Sequence, residues 1–169
     1  MYQYMKFKNL IRDISDFPIP GVLFRDISPL LQSPQDFHAA LDQMVLKVDL
    51  TQVDSIVGIE SRGFILGAAL ASMHKKGFIP LRKAGKLPPP VEKISYSLEY
   101  GTATLEMAPG QGSVLIVDDV LATGGTLQAG IDLCQRAGFE VIDVCVLINL
   151  TFLNQMKFKG RSIQSAVSY

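Results

Sequence analysis

Two adjacent carboxylates, Asp118 and Asp119, follow the apolar run Val114-Leu115-Ile116-Val117, and the chain then reads Val120-Leu121-Ala122-Thr123-Gly124-Gly125-Thr126. The apolar run has the make-up of a buried strand. A helix is expected from Thr126 to Ala137, closed by Gly138. An acidic pair delivered to a sheet margin beside such a turn suggests a definite chemistry. The two glycines let the backbone approach a ligand and aim N–H groups at one point. The helix N-terminus adds partial positive charge and the threonine hydroxyls add donors, so Ala122 to Thr126 suit one phosphate group. The carboxylates would accept hydrogen bonds from neighbouring hydroxyls, which makes a sugar phosphate the matching ligand. Two other phosphate loops do not fit. A Walker A loop needs Gly-Lys-Ser/Thr, and a dinucleotide fingerprint places its acid about 20 residues after the glycines, whereas these acids precede them. The competing reading of Gly-Gly-Thr alone is a surface turn that caps a helix.

The surrounding pattern supplies the elements that must hold this turn. Phe7, Leu10, Ile11 and Ile14 fall at helical spacing, which predicts an N-terminal amphipathic helix. It must stop before Phe17-Pro18-Ile19-Pro20-Gly21, since proline restricts itself and its predecessor. Ser33-Pro34 starts a second helix with the stripe Phe37, Leu41, Met44, Val45 and Val48. Residues 55–60 read as a buried strand, 63–76 as a helix, and 78–82 as a strand. Lys83 to Ser95, rich in Lys, Gly and Pro, predicts a mobile loop. Residues 96–107 alternate weakly and read as a hairpin or as more of that loop. Val141 to Leu150 is a strand, and Ser162 to Val167 an edge-strand candidate. Strands alternating with helices from residue 55 onward imply an α/β fold with a mostly parallel central sheet flanked by helices. Ligands of such sheets bind beyond the carboxyl ends of the strands, where the acidic pair lies.

Composition sets outer bounds. The 169 residues are 48% apolar and 19% charged. One domain spanning 1–169 is expected, at ~150 residues per domain. Sixteen basic residues balance sixteen acidic ones, which argues against a dedicated nucleic-acid binder. No apolar run reaches the ~18 residues of a membrane span. Cys134 and Cys145 stand outside any CxxC pattern and read as buried thiols of a reducing, cytoplasmic compartment. His38 and His74 lie within or at the end of expected helices and carry no ligand spacing.

The string VLIVDDVLATGGT resembles the phosphoribosyl-pyrophosphate (PRPP) loop of the type I phosphoribosyltransferases. Phe17 to Ile27, Ser61-Arg62-Gly63-Phe64, Arg82 to Pro88 and Tyr96-Ser97-Leu98-Glu99-Tyr100-Gly101 are similar, in order, to blocks of the family's adenine branch. The resemblance implies that family's fold, with an N-terminal helix and base-recognition hood over 1–30 and a flexible lid over 83–107. It implies transfer of the phosphoribosyl group from PRPP to adenine, giving AMP and pyrophosphate, in a homodimer. Asp118 and Asp119 would face the ribose hydroxyls. Ala122, Thr123, Gly124, Gly125 and Thr126 would hold the 5′-phosphate. Ser61, Arg62, Gly63, Arg82, Lys86 and Tyr100 would meet the pyrophosphate, with a cis peptide at Glu60-Ser61. Leu23 and Arg25 would read the base edge through their backbone, and Phe24 and Leu150 would press on its two faces. Glu99 would exchange the proton of the attacking base. Mg²⁺ would come mainly on PRPP, without a dedicated protein cage. Glu60 and Asn149 depart from the family's usual residues. The alternatives are another purine base (hypoxanthine, guanine or xanthine), and a PRPP-sensing regulator of the same fold without catalysis.

Overall fold

The computed structural model describes residues 7–97 and 101–169. In chain order the strands are β1 (Arg12–Ser15), β2 (Leu23–Asp26), β3 (Ser55–Ile59), β4 (Gly77–Lys83), β5 (Glu92–Ser97), β6 (Thr102–Met107), β7 (Gly112–Leu121), β8 (Phe139–Asn149), β9 (Lys157–Phe158), β10 (Arg161–Ser162) and β11 (Gln164–Ser168). The helices are α1 (Ser28–Leu31), α2 (Pro34–Val45), α3 (Arg62–Met73) and α4 (Gly125–Arg136). A seven-stranded sheet runs β11-β8-β7-β3-β4-β6-β5. Its first five strands pair in parallel, and β6 and β5 add an antiparallel edge.

Alternation along the central strands builds two cores. Ile56, Leu115, Val117, Cys145 and Leu147 face α2 and α3, with Leu41, Met44, Leu66 and Leu70 packed on them. Val57, Ile59, Ile116, Val144 and Val146 face the other way, onto Leu127, Ile131 and Leu133 of α4. Both faces are covered, so these strands need continuous apolar runs. The sheet therefore holds the carboxyl ends of β3, β4, β7 and β8 in one row.

Two local expectations need correction. The helix over Phe7 to Ile14 does not run that far: residues 7–9 are helical, and Arg12–Ser15 is a strand. Phe7 and Ile11 are buried in the core, but Ile14 is exposed and pairs across β1 with Phe24 of β2. A partner strand supplied from elsewhere overrides the helical spacing. The Lys83–Ser95 stretch is not wholly loop, because β5 begins at Glu92 and pairs with β6 from Glu92↔Met107 to Ser97↔Thr102. Residues 102–107 of the expected lid thus belong to the central sheet, with Leu105, Glu106 and Met107 buried. Of the two readings offered for 96–107, the hairpin is the one found. The C-terminal edge strand also forms, as β11 beside β8.

Candidate active site

The strand β7 extends past the apolar run, so Asp118 and Asp119 lie within it, and Ala122 to Gly124 turn the chain into α4. Gly124 sits at φ +95° at the head of that helix, and the Gln128 N–H donates to its carbonyl at 2.9 Å. This left-handed conformation suits glycine. The turn encloses a small notch of about 80 Å³ lined by Asp118 and Val120 to Leu127. Its position at the start of a twelve-residue helix is that of an anion site.

Asp118 is buried, and Asp119 is half-buried beside it. Burial, reinforced by the neighbouring Asp119 charge, pushes the Asp118 carboxyl well above its ordinary range. Asp118 Oδ1 accepts the Asp119 N–H at 2.8 Å. The N-terminus of α3 closes over the pair at Gly63, where an added Cβ would lie 3.0 Å from the Val117 carbonyl and 3.1 Å from Asp118 Oδ1. Arg62, next to that glycine, forms an ion pair with Asp119. Its Nη1 also donates to the Arg25 carbonyl at 2.7 Å, and its guanidinium lies 4.7 Å from the Phe24 ring centre. One side chain thereby joins the acidic pair to the N-terminal segment.

The neighbouring strand end is arranged differently. The Glu60–Ser61 peptide is cis. Glu60 Oε1 accepts from Lys86 Nζ at 2.8 Å, and Oε2 accepts from the Lys83 N–H at 3.0 Å and lies 3.4 Å from Arg82 Nε. Lys86, above all, holds the Glu60 carboxyl down at about 2, against an ordinary 4.5. The turn carrying Lys86 is itself held by Glu106, whose Oε1 accepts the N–H groups of Lys86 and Leu87 at 2.6 and 2.7 Å.

A cleft of about 720 Å³ runs from the notch to the N-terminal segment. Leu23, Arg25 and Leu150 line it, together with Ala122, Thr123, Gly125 and Thr126. Gly21, Val22, Ser97, Phe152 and Leu153 complete the lining. Phe24 is not part of that wall. Its ring stands edge-on to Phe17, 5.1 Å between centres. The Arg25 carbonyl already accepts from Arg62, and the Arg25 guanidinium pairs with Asp13 and lies 4.0 Å from the Tyr169 ring centre. A second cavity of about 570 Å³ lies against the acidic pair, between Glu60, Lys83, Tyr96, Asp118, Asp119 and Thr126. The Tyr96 hydroxyl is 3.3 Å from Thr126 Oγ1, so β5 leans over the phosphate turn.

Ser61, Arg62, Gly63, Arg82 and Lys86 thus lie at the β3 and β4 ends, Asp118 to Thr126 at the β7 end, and Leu150 just after β8. Glu99 and Tyr100 lie outside the described residues. Sequence reasoning missed Phe152 and Leu153, two exposed apolar side chains whose only signal is their place just after a strand end. It also missed Asn154, which nothing local distinguishes.

A parallel sheet carrying this turn at a helix start, with an acidic pair at the same strand end, has the form of a sugar-phosphate site. Residues 30–161 match the phosphoribosyl transferase domain, and the chain belongs to that family. Within the family its likeness is to the adenine phosphoribosyltransferases. The protein of that name from Bdellovibrio bacteriovorus is 60% identical over 98% of this chain and 100% of its own length. The crystal structure of the Rhodothermus marinus adenine phosphoribosyltransferase is 41% identical, with a TM-score of 0.88 and 99% of each chain covered. The Giardia lamblia enzyme, solved in complex with 9-deazaadenine, is 36% identical, with a TM-score of 0.85, 98% of this chain and 97% of its own covered.

Proposed function

We infer that this chain is a purine-salvage enzyme that transfers the 5-phosphoribosyl group from PRPP to adenine, giving AMP and pyrophosphate. The observation that carries the reading is the single cleft in which Ala122, Thr123, Gly125 and Thr126 share walls with Leu23, Arg25 and Leu150. A nucleoside monophosphate needs both ends at once, a phosphate turn and an apolar slot for a flat base.

The residue roles follow from the chemistry. The bond from ribose C1 to pyrophosphate breaks as the bond from C1 to the purine nitrogen forms, through a ribose that is transiently cationic, as in glycoside chemistry. Ala122 to Thr126 hold the 5′-phosphate. Asp118 and Asp119 accept from the ribose hydroxyls and bring negative charge near the cationic ribose. Ser61, Arg62, Gly63, Arg82 and Lys86 receive the pyrophosphate, once Arg62 exchanges Asp119, and Arg82 and Lys86 exchange Glu60, for its oxygens. Leu23 and Arg25 present backbone groups to the base edge. Leu150 presses on one face of the base, and Phe24 turns from Phe17 onto the other. Glu99 takes the proton of the attacking purine, and Tyr100 packs beside the pyrophosphate.

An acidic pair served by one arginine would suit Mg²⁺ carried on PRPP, with Asp118 and Asp119 as the residues that would help to hold it. When bound, the ion neutralises charge on the departing pyrophosphate. The segment 83–107, in which β5 and β6 form the edge hairpin of the sheet, acts as the lid that keeps water from the activated ribose. A homodimer in the cytoplasm completes the reading, consistent with the unpaired buried thiols Cys134 and Cys145.

Pyrophosphate release from PRPP and Mg²⁺ tests it, with adenine, hypoxanthine, guanine or no base in parallel. Release with adenine alone is the expected result. Release with an oxopurine would reassign the base. PRPP binding without release would make the protein a sensor.

A further inference from the structure

The parallel pairing of β7 and β8 ends at Leu121↔Asn149, and the Leu150 N–H makes one more bond, to the Leu121 carbonyl at 2.9 Å. Beyond that rung the two chains part. One becomes the phosphate turn, and the other becomes the wall that carries Leu150, Phe152 and Leu153. The Asn154 side chain reaches back across the gap. Its Nδ2 donates to the Ala122 carbonyl at 2.8 Å, to the Leu150 carbonyl at 3.0 Å and to Asn149 Oδ1 at 3.1 Å. Its Oδ1 accepts the Met156 N–H at 3.1 Å. Met156 in turn backs the turn itself, since a Cβ added at Gly124 would lie 3.1 Å from Met156 Sδ.

We propose that Asn154 is a positioning residue that sets the distance between the 5′-phosphate turn and the base-contacting wall. It acts as the missing rung of the sheet, made by a side chain where the backbones have diverged. This rests on the function inferred above, because the distance matters only to a ligand that spans both parts. The two N–H groups of one primary amide serve three oxygens. A carboxylate of the same shape would keep the bond from Met156 and turn three attractive contacts into repulsions. Asn149 supplies an acceptor oxygen, so an acid at position 149 would serve Asn154 equally well.

The test is calorimetric titration of the wild type, Asn154→Asp, Asn154→Ala and Asn149→Asp with three ligands: AMP, ribose 5-phosphate and adenine. In both Asn154 variants AMP binding is expected to weaken about tenfold, the size of a lost hydrogen-bond set. Ribose 5-phosphate and adenine, each held at one end, should change less than about twofold. Asn149→Asp should bind all three ligands as the wild type does. Thermal unfolding identifies any variant that does not fold, and Asn154→Ala carries the test if Asn154→Asp is lost. AMP binding unchanged in the folded variants would overturn the proposal, as would equal weakening of all three ligands, which marks local damage. A wild type that fails to bind AMP would instead remove the functional reading on which the proposal stands.

Discussion

The carboxyl ends of β3 and β7 are neighbours in the sheet, each carries acid, and they handle it in opposite ways. At the β3 end Glu60 is flanked by Arg82 and Lys86 and is held strongly acidic, at about 2. At the β7 end Asp118 and Asp119 crowd each other, Arg62 pairs with one of them, and burial makes ionisation of Asp118 costly. The first end is neutralised, and its cations rest on a carboxylate. The second is left electrostatically uncomfortable. The contrast matches what each end is inferred to receive. A pyrophosphate can take stored cations from Glu60, whereas hydroxyls and a cationic ribose relieve an acidic pair. Burying an undercompensated charge is destabilising on its own, so the β7 end fits a place where stability is given up for binding.

The most severe way to break the contrast is Arg62→Ala, which strips the β7 end of its cation and the pyrophosphate of a partner. Turnover should fall by a factor on the order of 10³, as for loss of a charge-stabilising donor, and steady-state pyrophosphate release measures it. Glu99→Ala removes the acid inferred to take the purine proton. It should lower turnover by a factor on the order of 10² while sparing PRPP binding, and wild-type turnover would end that assignment. Asp118→Asn sharpens the comparison, because it separates stability from binding. PRPP affinity should weaken about tenfold, while the melting temperature rises by about 2–4 °C as the buried charge disappears. Both changes can be followed in one ligand-dependent thermal series.

Glu60→Gln is the gentlest probe. Freeing Arg82 and Lys86 should tighten PRPP binding about threefold, at a stability loss of about 1 kcal/mol, a charge-assisted contact discounted for the exposure of Lys86. The pH dependence carries the same signature. Because the Glu60 carboxyl is lowered in the fold, its contribution is complete above its ordinary 4.5 and is lost as pH falls towards about 2. Glu106 is lowered over the same range, first by the backbone N–H of Gly85. Urea unfolding of the wild type should therefore weaken through that window, and Glu60→Gln should lose less stability across it.

The acidic pair and its turn could be read from sequence because their chemistry is contiguous: strand, carboxylates, glycines and helix start follow one another. The parallel sheet was legible for a related reason, since strands covered on both faces need unbroken apolar runs such as Val114-Leu115-Ile116-Val117. What escaped depends on partners far along the chain. Ile14 keeps helical spacing with Phe7, yet the strand opposite it decides its conformation. The alternation of Glu92 to Ser97 was obscured by the prolines before it. The pairing of Glu60 with Lys86 and the reach of Asn154 to Ala122 span 26 and 32 residues. Spacing within one element carries no trace of either. Leu23, Arg25 and Leu150 were placed by family likeness, and the fold brings them to one cleft. The same likeness assigned the Arg25 backbone to the base, and Arg62 donates to its carbonyl.

The strands β1 and β2 pair with each other in a sheet of their own, and among the described residues they share no backbone ladder with the seven-stranded sheet. Much of one wall of the cleft is therefore an appendage with its own hydrogen-bond closure, docked through side chains such as Arg62 and Arg25. Its residues can be varied without unthreading any strand beneath the phosphate turn. On the inferred function, that would make the choice of base a modular property, open to directed evolution on a library confined to residues 12–26 while the phosphate turn is inherited intact.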